Sequence, residues 1–121
     1  MHDTLLAQYA EREAQMNTIY AGDVLRRIAQ ALGGRLGSGP LVLLSTTRQG
    51  AGLAAACAAG RSEPTWWRQI DLLLAPELPD GATPVFVEIV DPGGGWQDFA
   101  LARYPGARFV FADSAPVLKV A

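Results

Sequence analysis

Two short stretches carry the residue types that could do chemistry. One is Ser45-Thr46-Thr47-Arg48-Gln49-Gly50, three hydroxyls followed by a guanidinium and a glycine. The other is Asp91-Pro92-Gly93-Gly94-Gly95-Trp96, a carboxylate followed by three glycines. Hydroxyls and a forked guanidinium suit phosphate or carboxylate oxygens. Glycines, lacking Cβ, let successive backbone N–H groups turn toward one anion. A helix starting near Trp96 would aim its positive end at the same point. The alternative is a plain strand-to-helix turn for Gly93–Gly95, and for Arg48 an exposed side chain paired with a nearby carboxylate.

A third position is Glu88, inside the apolar run VFVEIV. Carboxylates are uncommon in buried strands. With Asp91 at the strand end, Glu88 could contact ribose hydroxyls or hold Mg²⁺ through water. The competing reading is a structural ion pair with Arg48 or Arg68.

Other engines are excluded by composition. His2 is the one histidine and Cys57 the one cysteine, so a Ser-His-Asp or Cys-His arrangement has no credible base and an intrachain disulfide is impossible. Net charge is −2 and Lys119 is the one lysine, which argues against nucleic acid and against polybasic membrane attachment. No apolar stretch is long enough to span a bilayer and no signal peptide is visible, so a cytoplasmic location is expected. A small hydrolase or transferase using Asp91 as acid or base is the weakest reading, because no nucleophile and base are paired.

The elements that must position these loops follow from periodicity. At 121 residues the chain is long enough for one domain, residues 1–121, and not for two. Residues 1–36 read as a helical N-terminal segment packing on or extending the core. One helix spans Asp3–Tyr20, with Leu5, Leu6, Tyr9, Met16, Ile19 and Tyr20 mostly on one side; a second runs from near Ala21 and stops at Gly33-Gly34. LVLLS is a strand covered on both faces, and GLAAACAAG a helix of small residues. RSEPTWWRQIDLLLAP admits two readings, a helix opened by Ser62, Glu63 and Pro64 with Trp67, Ile70 and Leu74 inward, or IDLLLA as the next buried strand, favoured because Pro76 and the turn-like ELPDGATP follow. VFVEIV then reads as a strand, WQDFALARY as a helix and RFVFA as a strand; SAPVLKV reads as a last edge strand. Strands alternating with helices predict an α/β fold, a mostly parallel open sheet with helices on both faces. In such sheets ligands lie outside the carboxyl ends of the strands, where both loops would fall. Cys57 reads as an inert buried residue, and one of the adjacent Trp66 and Trp67 as core or subunit contact.

The two loops together resemble those of the type I phosphoribosyltransferases over roughly residues 20–112. VLLSTTRQGAGLAAACA is similar to that family's first loop, which contacts the pyrophosphate of phosphoribosyl pyrophosphate, with Arg48 and Gly50 at matching places. PDGATPVFVEIVDPGGGW is similar in outline to its signature strand of four apolar residues, two acids and a Thr/Ser- and Gly-rich loop on the 5′-phosphate. Ile89 stands where the second acid should be, and Pro92 and Gly93 replace loop threonines. Little room remains between Gly60 and Pro84 for the family's mobile lid, and no base-binding hood is evident. The resemblance implies a phosphorylated sugar or nucleotide as ligand, held by Thr46, Thr47, Arg48, Gly50 and Gly93–Gly95, with Glu88 and Asp91 on the ribose or on Mg²⁺ accompanying the ligand. The departures imply weak, altered or lost transfer activity. The other expectation is a non-catalytic interaction or dimerisation module, a homodimer built on the N-terminal helix and the Trp pair.

Overall fold

The computed structural model describes residues 23–114. The helix expected over Asp3–Tyr20 and the tail strand around Pro116 lie outside the described residues. Four strands form one sheet: β1 (Leu41–Ser45), β2 (Thr65–Gln69), β3 (Thr83–Glu88) and β4 (Arg108–Phe111). All neighbours are parallel and their order is β2-β1-β3-β4. Every residue of β1 is buried, as a continuous apolar run at the sheet centre requires.

Side chains alternate across the sheet and build two cores. On one face α1 (Asp23–Leu36) and α2 (Arg48–Ala59) cover Leu41, Leu43, Val85 and Val87. On the other, α3 (Trp96–Arg103) covers Val42, Leu44 and Phe86. Small residues let α2 lie close: Gly50, Ala51, Ala54 and Cys57 are on its buried side. The α/β expectation, with a parallel sheet and helices on both faces, therefore holds.

The order of strands sets where a crevice can form. From β1 the chain crosses through α2 to β2; from β3 it crosses through α3 to β4, in the opposite direction. The right-handed preference of such crossovers puts α2 and α3 on opposite faces. The loops leaving β1 and β3 diverge above adjacent strands, the topological switch point where doubly wound sheets bind ligands.

Three local expectations are corrected. First, α1 does not stop at Gly33-Gly34 but runs on to Leu36. Leu36 is 1% exposed and extends the buried stripe of Ile28, Ala29 and Leu32. Burying a leucine contributes about 1.5–3 kcal/mol, enough to offset two helical glycines at roughly 1 kcal/mol each. The Arg108 guanidinium donates to the carbonyls of Leu36 and Arg35 and closes the helix end. Second, α2 begins at Arg48, ahead of the GLAAACAAG stretch expected to form it, because Thr47 caps it: its Oγ1 accepts from Gly50 N at 3.0 Å.

Third, the second strand is TWWRQ, not IDLLLA. Ile70 N donates to Ser45 O at 2.8 Å, and the chain then turns, with Leu74 N on Asp71 O and Leu73 N on Asp71 Oδ1. Ile70 and Leu72 enter the α3-side core, whereas Leu73 and Leu74 are largely exposed. Of the three consecutive leucines the turn buries only Leu72. Trp66 and Trp67, opposite Val42 and Leu43 in register, point to opposite faces of an edge strand and both remain half-exposed.

Candidate functional site at the carboxyl edge of the sheet

The last residue of β3 meets the loop that follows β1. Glu88 is 1% exposed, and its carboxylate is fully engaged. Thr46 N donates to Oε2 at 3.0 Å and Thr46 Oγ1 to the same oxygen at 2.5 Å. Thr47 Oγ1 donates to Oε1 at 3.0 Å, and Ser45 Oγ also lies in hydrogen-bond contact with Oε1. Ser45 Oγ is itself tied into the loop, accepting from Thr47 N at 3.1 Å. Gly50 completes this cage. A Cβ there would run into Glu88 Oε1 and Ser45 Oγ, so only glycine lets the first turn of α2 approach so closely.

Thr46, Thr47, Gly50 and Glu88 are thus brought together, but in a way the sequence did not suggest. The hydroxyls and the Thr46 amide that could receive an external anion receive the protein's own carboxylate. Glu88 pairs with neither Arg48 nor Arg68. Among the described residues no buried side-chain nitrogen or oxygen lacks a partner, which the high cost of unpaired buried polar groups demands. Arg48 is exposed at the start of α2, with no hydrogen bond or ion pair to another described residue.

The glycine loop takes a left-handed conformation, favoured by glycine, over three successive residues. Gly93, Gly94 and Gly95 have φ of 72°, 60° and 82°. Asp91 organises the run: Oδ1 accepts from Gly93 N at 2.9 Å and Oδ2 from Gln97 Nε2 at 3.0 Å. Gly95 is the N-cap of α3 and offers no side-chain cap. All three glycines are exposed, and among the described residues the amides of Gly94 and Gly95 have no acceptor. Asp91, expected on ribose or metal, accepts one hydrogen bond on each oxygen from its own loop and α3, and is exposed.

A cleft of about 550 Å³ opens at this edge, lined by Thr46, Gln69, Ile70, Asp71, Leu72 and Trp96. It joins the ends of β1 and β2 to the start of α3. Trp96 is its aromatic wall, held edge-on by Phe86 at 5.4 Å and Phe109 at 5.5 Å between ring centroids. Gln69, Ile70, Asp71, Leu72 and Trp96 were not among the expected site residues. Ending the second strand at Gln69 would have found four of them, since they then follow a strand's carboxyl end. Of the expected residues only Thr46 lines the cleft; the glycine loop borders it through Trp96, and Arg48 is not part of its lining.

Among the described residues, no cluster of three or more His, Cys, Asp or Glu side chains could hold a metal ion. Glu88 is buried and bonded through both oxygens, whereas Asp91 stands exposed with one hydrogen bond on each oxygen. No described helix is long and apolar enough to cross a membrane.

Fold and site together define a doubly wound α/β protein with a crevice at its switch point. Compared with protein-family models, with curated proteins and with solved structures, the chain matches none.

Proposed function

We propose that this chain is a phosphoribosyltransferase-like binding protein for a phosphorylated sugar or nucleotide. The reading rests on one observation: three consecutive left-handed glycines leave two amides without acceptors at the start of α3, beside the cleft. The phosphate sits on the amides of Gly94 and Gly95, where the α3 dipole favours negative charge. The sugar or base lies in the cleft against Trp96 and Leu72. Arg48, exposed at the start of α2 outside the cleft lining, adds a cation for a pyrophosphate or longer phosphate chain that extends beyond the cleft. Any Mg²⁺ arrives on the ligand's phosphates.

Transfer activity is weak or lost in this reading. Ribosyl transfer depends on groups held ready to position sugar hydroxyls and to offset charge. Glu88, the one acid matching the family's pair, is committed to Ser45, Thr46 and Thr47. Thermal shift of the full chain with ribose 5-phosphate, phosphoribosyl pyrophosphate and mononucleotides, each with and without Mg²⁺, tests the proposal. A rise in Tm that is absent with ribose alone supports it. No rise at millimolar ligand in a folded sample overturns it.

A further inference from the structure

Among the described residues, strand β2 ends the sheet with its outer edge unpaired. The direction of its backbone groups can be read from its ends. Pro64 O accepts from Leu41 N, and Ile70 N donates to Ser45 O, so both point toward β1. Backbone groups alternate sides along a strand, so those of Trp66 and Arg68 also face β1. The N–H and C=O groups of Thr65, Trp67 and Gln69 face outward, three donors and three acceptors with no partner among the described residues. Neither proline nor lysine stands within this strand, Arg68 is its one charged side chain, and no described element covers its edge.

We propose that β2 pairs antiparallel with β2 of a second copy, across a two-fold axis at Trp67, to give a continuous eight-stranded sheet. Three features select this occupant and this register. A two-fold at Trp67 makes Trp67–Trp67 and Thr65–Gln69 hydrogen-bonded pairs, the one register that uses all six outward groups. It sets Trp66 directly across from the partner's Arg68, on the same face and at the closer, non-hydrogen-bonded spacing. The guanidinium, held by Glu77 O at 3.2 Å, then meets an indole face, an electrostatic match that occurs twice by symmetry. It also covers Trp66 and Trp67, which stand 43% and 48% exposed. The contact lies on the outer edge of β2 and is independent of the phosphate proposal.

Sedimentation and light scattering of the full chain test this. The expected mass is twice 12.9 kDa. Trp67→Pro should return it to the single-chain mass while the fold persists, because the lost N–H faces outward and makes no bond to β1. Trp66→Arg, which opposes the partner's Arg68 with like charge, should also dissociate it; Trp66→Glu, which offers that arginine an anion, should not. Trp67→Cys should be joined to its partner by a short bis-maleimide, since the two-fold pairs the Cα atoms of position 67 at about 5.5 Å. A single-chain mass for the full chain overturns the proposal, including the case in which residues 1–22 cover the edge. So does a dimer that survives Trp67→Pro and Trp66→Arg, or one in which Trp67→Cys fails to cross-link.

Discussion

Ser45 and Glu88 stand 43 residues apart in the chain and share a buried hydrogen bond where β1 and β3 end side by side. Around it the loop of Thr46 and Thr47 closes on one carboxylate, and α2 starts one residue later. The contact couples a strand end, a helix cap and the rim of the cleft.

Glu88→Gln should therefore act on stability first. An amide NH₂ in place of one carboxylate oxygen would face either the Thr46 donors or those of Ser45 and Thr47. Leaving buried donors unpaired costs about 1–3 kcal/mol. Urea unfolding should show that loss without added ligand. Unchanged stability would mean that the carboxylate is not part of the folded framework.

Two glycines on α2 should respond in opposite senses to alanine. Gly50→Ala pushes a methyl into Glu88, Ser45 and Thr47, an overpacking worth about 1–3 kcal/mol of destabilisation. Gly52→Ala meets nothing nearer than Leu25 Cδ1 at 3.8 Å and gains helix propensity, up to about 1 kcal/mol of stabilisation. Denaturant midpoints of the two variants measured side by side decide this.

Gly94→Val separates the glycine loop's two readings. Its φ of 60° strains a β-branched side chain by about 1–3 kcal/mol, so some stability is lost in either case. If the loop holds phosphate, the thermal shift with ribose 5-phosphate disappears as well. If it is only a turn, any ligand response stays.

Cys57 gives a pH signature. It is buried, and desolvation raises its thiol from 9.0 to about 11. Between those values the unfolded chain releases a proton that the folded chain keeps. This contribution to stability is thus complete below pH 9 and is lost as pH rises through about 11. Thiol labelling at pH 8 should be slow in the folded protein and fast in urea. Fast labelling of the native chain would contradict the burial.

Much of the architecture could be read along the chain. LVLLS and VFVEIV are apolar runs of strand length bounded by turn residues, and they are the two central strands because only central strands need both faces apolar. The small residues of α2 announced a helix lying close on a sheet. The glycine run announced left-handed backbone, which no other residue type adopts so readily three times over.

What the sequence by itself determined was local: which segments prefer strand or helix, where the backbone must turn, and that Glu88 needs a partner. Only the tertiary structure decided the partners. The acid that looked available to a ligand is claimed by hydroxyls 41 to 43 residues away, and α1 passes Gly34 because Arg108, 72 residues beyond Leu36, closes its end. Likewise β2 falls at TWWRQ because β1 offers its edge there, leaving the leucines to a turn. Periodicity reports what a segment can bury. Long-range contacts decide what it does bury, and the cost of an unpaired buried polar group makes that decision the stronger one.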